Sequence, residues 1–168
     1  MGHTDNLPAI LKLLDDGVAK SGSVLTFLHN TINAVDDMGG SLGAIFGILI
    51  AAFATALRNY STKTGDLMSI LAPTFAHAVE SLKQHTGARV GDRTVMDVLI
   101  PFADTLDKDR DLGKAVHSAE KAADATKNLK AKFGRASYVG EGGEEQRLPD
   151  PGAWAFKEMV KGMYDASK

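Results

Sequence analysis

One unbroken apolar run, Leu42 to Leu57 (LGAIFGILIAAFATAL), limits this chain more than any other stretch, because it contains no charged residue. A helix built from it is apolar on every side and needs lipid or other protein all around it. The run falls short of the roughly 20 residues that cross a bilayer. It therefore reads as a central helix wrapped by others, which commits much of the remaining sequence to supplying the wrapping.

The rest of the chain has the right periodicity for that. Ile10, Leu11, Leu14 and Val18 recur at helical spacing between Leu7 and Lys20, with Pro8 where a first turn tolerates it. Ser23 can cap a second helix whose apolar face is Val24, Phe27, Leu28, Ile32 and Val35. The apolar helix begins near Ser41, and a fourth runs from Asp66 to about His85 on Leu67, Ile70, Leu71, Phe75, Val79 and Leu82, with Pro73 inside. Thr94 opens a fifth through Met96, Leu99 and Phe102, with Pro101 as a kink. Asp109 to Phe133 reads as one long amphipathic helix carrying Val116, Ala119, Ala123, Thr126, Leu129 and Phe133. Pro151 starts the last, with Trp154, Met159, Val160 and Met163 as its apolar side. No stretch alternates as a strand does, so the class is all-α, an antiparallel bundle or barrel of about seven helices in one domain of 168 residues.

Several function classes are disfavoured by composition. A formal net charge of −2 argues against bulk attraction to nucleic acid or an anionic membrane. The absence of cysteine removes disulfides, thiolate metal sites and thiol nucleophiles. Met1 to Asn6 is polar and unlike a secretory leader, and a cytoplasmic protein is expected. The histidines at 3, 29, 77, 85 and 117 contain no His-x-x-x-His pair, so no histidine metal site is indicated, and each is expected to be structural.

A plain bundle needs only short turns, yet three connections here carry glycine with hydroxyl or charged residues. Gly39-Gly40-Ser41-Leu42-Gly43 opens the apolar helix, where backbone amides attract anions and glycine allows close approach. The alternative is that small residues there serve helix packing. Gly91-Asp92-Arg93-Thr94 precedes another helix; Thr94 reads first as an N-cap with Asp97 three residues on, and second as a phosphate contact with Gly91 and Arg93. The longest connection runs from Gly134 to Asp150. Its Arg135 offers a planar donor fork suited to phosphate, Ser137 a hydroxyl, and Tyr138 a ring that stacks or donates. Asp150 with Pro151 is a natural N-cap and N1 pair for the last helix. Neither the phosphate loop of the P-loop type nor the dinucleotide glycine motif is present.

These motifs, in this order, resemble the carboxy-terminal, L-type nucleotide-binding domain of dihydroxyacetone kinases. The likeness lies in Gly39-Gly40-Ser41-x-Gly43, Gly91-Asp92-Arg93-Thr94-x-x-Asp97-x-Leu99-x-Pro101, Gly134-Arg135-Ala136-Ser137-Tyr138-Val139-Gly140 and Asp150-Pro151-Gly152-Ala153. The resemblance implies an eight-helix barrel, here without its first helix, whose loops at one end hold ADP or ATP. It implies that Gly40 and Ser41 meet phosphate, that Gly91 and Thr94 lie beside the nucleotide, and that Arg135 reaches the phosphates, with Gly39 and Ser137 as further nucleotide- or ligand-binding candidates. Asp150, Pro151 and Gly152 then close over the adenosine side, and residues 134–152 form a lid. Arg135, Tyr138 and Asp150 are the candidate catalytic residues.

The same resemblance points to a difference. The family's Gly-Asp-Gly-Asp-x-Gly motif, whose carboxylates hold two magnesium ions, has no counterpart here; Gly2 and Asp5 echo it while His3 and Asn6 stand where acids or their partners belong, and residues 1–9 are divergent. Leu42 replaces a small hydroxyl residue. Phosphoryl transfer leans on metal ions to neutralise oxygen charge. The expectation is a nucleotide-binding domain that does not transfer phosphate alone, with magnesium's usual ligands missing. One alternative is a metal- and ATP-independent cyclase, isomerase or lyase acting on a small organic substrate in the same pocket. Another is a regulatory or interaction subunit, in which a second copy or a partner covers the space of the missing helix.

Overall fold

The computed structural model describes residues 24–36, 40–60, 66–133 and 148–168. Among them are six α-helices and no strand, in accord with the all-α class. The helix expected over 7–20 lies outside the described residues. The chain divides into two compact units, Met1–Thr64 and Gly65–Lys168.

In the first unit α1 (Val24–Asp36) packs on α2 (Gly40–Tyr60). Gly40 opens α2 with φ +70°, a left-handed conformation that glycine adopts without a Cβ penalty. At 21 residues α2 outruns the apolar sequence at both ends. The length argument against a membrane span thus falls: by length and composition α2 could cross one, a test that a core helix also passes. Only 22% of its most apolar window is buried, so the expectation of a helix wrapped on all sides is not met among the described residues.

The wrapped helix is in the second unit, and it is α4 (Met96–Asp109), which packs against α3 (Leu67–Leu82), α5 (Leu112–Ala125) and α6 (Pro151–Ala166). Met96, Val98, Leu99, Phe102, Ala103 and Leu106 are buried, although Asp104, Lys108 and Asp109 make α4 far less apolar than α2. Position in the packing, rather than mean apolarity, decides which helix is enclosed. Phe102 sits edge-on to Phe75 of α3 (centroids 5.4 Å apart) and to Phe156 of α6 (5.5 Å), and Phe156 has no exposed surface. Alanines 72, 78, 115, 119 and 123 are buried across these helices and let the backbones approach closely. Pro73 and Pro101 both lie inside continuous helices. Beside the first, the Thr74 hydroxyl returns to the Ile70 carbonyl at 2.6 Å; at the second, the Pro101 carbonyl accepts the Thr105 hydroxyl at 2.8 Å.

Two sequence expectations are corrected here. The α5 helix stops at Ala125 and one 3-10 turn, Thr126–Asn128, follows, so Leu129 to Phe133 is not helical. The cause is tertiary: Thr126 is fully buried and engaged with residue 150, while the Lys132 amide donates to the Asp92 carbonyl at 3.2 Å instead of to its own helix. On α6 the inward face is Ala153, Phe156, Lys157 and Val160, whereas Trp154, Met159 and Met163 face outward and are 43%, 45% and 61% exposed. Phe156 claims the core side through the aromatic cluster, and the apolar residues on the opposite side turn away with it.

Candidate functional site

The Gly91–Thr94 turn is built around one buried carboxylate. Asp97, 3% exposed, accepts from the Gly91 amide at 2.6 Å and from the Thr94 amide at 2.7 Å. The Thr94 hydroxyl in turn accepts from the Met96 amide at 3.1 Å, so Thr94 and Asp97 close the start of α4 much as a capping box does. Thr94 is therefore a cap in fact, and the amides of Gly91 and Thr94 already have partners inside the protein. Gly91, like Gly40, has a positive φ (+100°), and nothing lies within 4 Å of a would-be Cβ, leaving open space above the backbone where glycine is conformationally favoured.

Asp92 is 6% exposed and reaches in three directions. Its carboxylate accepts from the Arg89 amide at 2.8 Å and from the Lys132 ammonium, and its carbonyl accepts from the Lys132 amide. The Lys132 hydrogen bond, then the Arg89 amide, hold the Asp92 carboxyl below its ordinary 3.8, against a smaller opposing effect of burial. The guanidinium of Arg89 donates to the carbonyls of Lys83, Thr86 and Ala88, which ties this turn to the end of α3. Arg93 has φ 57°, left-handed in a residue with a Cβ, and its Nη2 donates to the Leu148 carbonyl at 3.0 Å. Its Nε is buried with no hydrogen-bond partner among the described residues.

The Asp150 turn is held from the other side. Its amide donates to the Thr126 hydroxyl at 2.8 Å, and that hydroxyl donates to the Ala123 carbonyl at 2.6 Å. Its carboxylate accepts from the Ala153 amide at 2.8 Å, with Pro151 as the first helical residue, as the sequence indicates. Burial is the main influence on the Asp150 carboxyl and raises it above 3.8; the Ala153 amide, Arg93 and the Gly152 amide pull the other way, and Asp97 adds to the rise. Beside this turn lies a mainly apolar depression of about 470 Å³, lined by Leu148, Pro149, Pro151, Trp154 and Ala155. The Lys157 ammonium sits 3.4 Å from the centre of the Trp154 ring.

The structure thus brings Gly91 and Thr94 together with Asp97, and links their turn to the one bearing Asp150, Pro151 and Gly152 through Arg93 and Leu148. Gly40 and Ser41 are in the first unit, both exposed at the start of α2. Gly39, Arg135, Ser137 and Tyr138 lie outside the described residues. Thr126, Lys132 and Leu148 are the structural partners that sequence patterning misses, because their bonds cross 24, 40 and 55 positions of chain. Among the described residues no group of three or more His, Cys, Asp or Glu side chains is placed to hold a metal.

Comparison with known proteins agrees with the motifs. The DAK2 domain family matches residues 2–165. Dihydroxyacetone kinase of Komagataella pastoris is 36% identical over 167 residues, covering 94% of this chain and 28% of the kinase. Dihydroxyacetone kinase 1 of Saccharomyces cerevisiae is 33% identical over 168 residues, 98% of this chain and 27% of its own length. Human triokinase/FMN cyclase is 32% identical over 174 residues, 97% and 28% respectively. The chain spans little more than a quarter of the length of the relatives it matches. It belongs to the DAK2 domain family.

Proposed function

We propose that this DAK2 domain binds the phosphates of ADP or ATP and serves as the nucleotide-holding part of a dihydroxyacetone-kinase-type system. The observation that carries the reading is the family match over residues 2–165, which takes in all four glycine-bearing motifs. The described geometry supports it at two of them. The Gly91 turn is closed by Asp97, with open space over its glycine, and it is bonded through Arg93 to the segment that enters the Asp150–Pro151–Gly152 turn. Arg135 and Ser137 are proposed as further phosphate contacts, with Arg135 as the principal cation; Gly39, Gly40 and Ser41 of the first unit are proposed as phosphate contacts on the strength of their motif alone.

The proposal includes dependence on other parts for catalysis. Magnesium needs several hard oxygen ligands. Both oxygens of Asp97 are taken by backbone amides, and both oxygens of Asp92 by Lys132 and the Arg89 amide. These donors do not fit a metal pair, so no step is assigned to magnesium on them. Among the candidate residues Arg135 would carry charge neutralisation, while Asp150 also caps α6 through one carboxylate oxygen. Dihydroxyacetone would be held by a separate region or partner subunit, in keeping with the greater length of the relatives.

A second reading has one specific point in its favour: the human relative is named for a cyclase as well as a kinase. A cyclase- or lyase-type reaction in the same pocket would use Arg135, Tyr138 and Asp150 without ATP. Ligand-observed NMR with ADP, AMP and FMN in parallel separates the two. The nucleotide reading expects ADP to bind with a Kd of roughly 1 mM or weaker, and more tightly than AMP because the second phosphate adds contacts. Saturable FMN binding with no ADP binding overturns it in favour of the second reading.

A further inference from the structure

We propose that Asp92 and Arg93 form a clasp that positions the ligand-facing Asp150 turn by gripping the chain on both sides of residues 133–147 from two adjacent positions. On one side Asp92 takes Lys132 twice, its carbonyl receiving the Lys132 amide and its carboxylate the Lys132 ammonium. On the other, Arg93 donates to the Leu148 carbonyl, two residues ahead of Asp150. A single turn thus sets both where the chain leaves α5 and where it returns toward α6. The inference rests on the nucleotide reading only for what the positioning is for.

The clasp is braced from within. Asp97 holds the amides of Gly91 and Thr94 on either side of the gripping pair, and the Arg89 amide fixes the Asp92 carboxylate. Asp92 is the enclosed member of the ion pair, its side chain 9% exposed against 63% for Lys132, so its orientation is set by the protein and the lysine comes to it. Arg93 adopts φ 57°. A left-handed backbone position of this kind is unfavourable for a residue with a Cβ, and glycine is its usual occupant. Glycine would sit there without strain, whereas the arginine adopts this conformation against its backbone preference. What the guanidinium supplies in return is the bond to Leu148 and a charge that acts on Asp150.

This separates a positioning role from simple structural support. The variant Arg93→Gly removes the grip while relieving the backbone, so global stability is expected to hold while the Asp150 turn loosens. Amide hydrogen exchange on the full chain reads that turn without any ligand, because the amides of Asp150 and Ala153 have defined acceptors in Thr126 and Asp150. In Arg93→Gly their protection should fall roughly tenfold while the amides of Val98 and Leu99 in α4 keep theirs. Arg93→Lys, with charge but no planar fork, should lie between. ADP affinity, titrated in parallel, should fall by roughly the same factor in Arg93→Gly at unchanged melting temperature.

Unchanged protection at Asp150 and Ala153 in Arg93→Gly overturns the clasp. Loss of protection at these amides with unchanged ADP affinity overturns its link to the ligand. If the wild-type chain binds no ADP, the nucleotide reading fails, and the exchange data alone still decide whether the clasp exists.

Discussion

The change Thr126→Val isolates one hydroxyl on which the site depends. The side chain is fully buried, and valine reproduces its shape while deleting the oxygen. In the wild type that oxygen donates to the Ala123 carbonyl and accepts from the Asp150 amide. The Ala123 carbonyl also accepts the Thr126 amide, so it keeps a partner; the Asp150 amide loses the acceptor it has among the described residues. Orphaning a buried donor costs about 1–3 kcal/mol. Asp150 is half-buried and water can reach it in part, which places the expected loss at the lower end, about 1–2 kcal/mol. Thr126→Ser keeps the hydroxyl and removes one methyl, for a loss of about 1 kcal/mol from transfer alone. Urea denaturation with an unchanged slope measures both. The two variants are told apart by hydrogen exchange, where the Asp150 amide should be deprotected in the valine variant and protected in the serine one. Equal protection in both variants would refute the role given to the hydroxyl, whatever the stabilities.

Three further outcomes follow from the same geometry. Phe156→Ala empties the centre of the Phe75–Phe102–Phe156 cluster and should cost about 3–5 kcal/mol in urea denaturation; a loss near zero would mean the cluster is not packed as described. Asp92 has its carboxyl held below 3.8 in the folded chain, so its stabilising contribution is present at neutral pH and disappears as pH falls below that value. Asp92→Asn should accordingly melt below wild type at pH 7, with the gap closing as the acid range is entered. Asp150 has the opposite sign: burial raises its carboxyl, so the protonated form is favoured by folding and the wild type should lose stability relative to Asp150→Asn as pH rises through the raised value. A gap between wild type and Asp150→Asn that does not change with pH would contradict the cause assigned.

Local chemistry was legible in the sequence, and enclosure was not. Asp150 with Pro151, and Thr94 with Asp97, announce helix starts by residue type alone, and both are found. Leu42 to Leu57 suggested the wrapped helix because it is apolar all round, yet the enclosed helix of the second unit is α4, which carries five aspartates and lysines among its fourteen positions and is surrounded by three neighbours. Periodicity carries α5 on to Phe133 because Leu129 and Phe133 continue the spacing; the helix instead tightens into a 3-10 turn at Thr126, whose hydroxyl takes the Ala123 carbonyl and accepts from the Asp150 amide 24 positions away. The Trp154, Met159 and Met163 stripe was misassigned for a similar reason, since a helix with apolar residues on two sides takes its orientation from which side meets partners. Arg93 and Lys132 stand in no motif-defined register with Leu148 and Asp92, so nothing short of the fold pairs them.

The nucleotide role turns on Arg135. Calorimetric titration of ADP into the wild-type chain and into Arg135→Ala, with melting curves of both, puts that role to the test. Weak, saturable binding by the wild type that is lost in Arg135→Ala at an unchanged melting temperature is the predicted result. Equal ADP binding by the two proteins, or a large fall in melting temperature on removing the arginine, would contradict it.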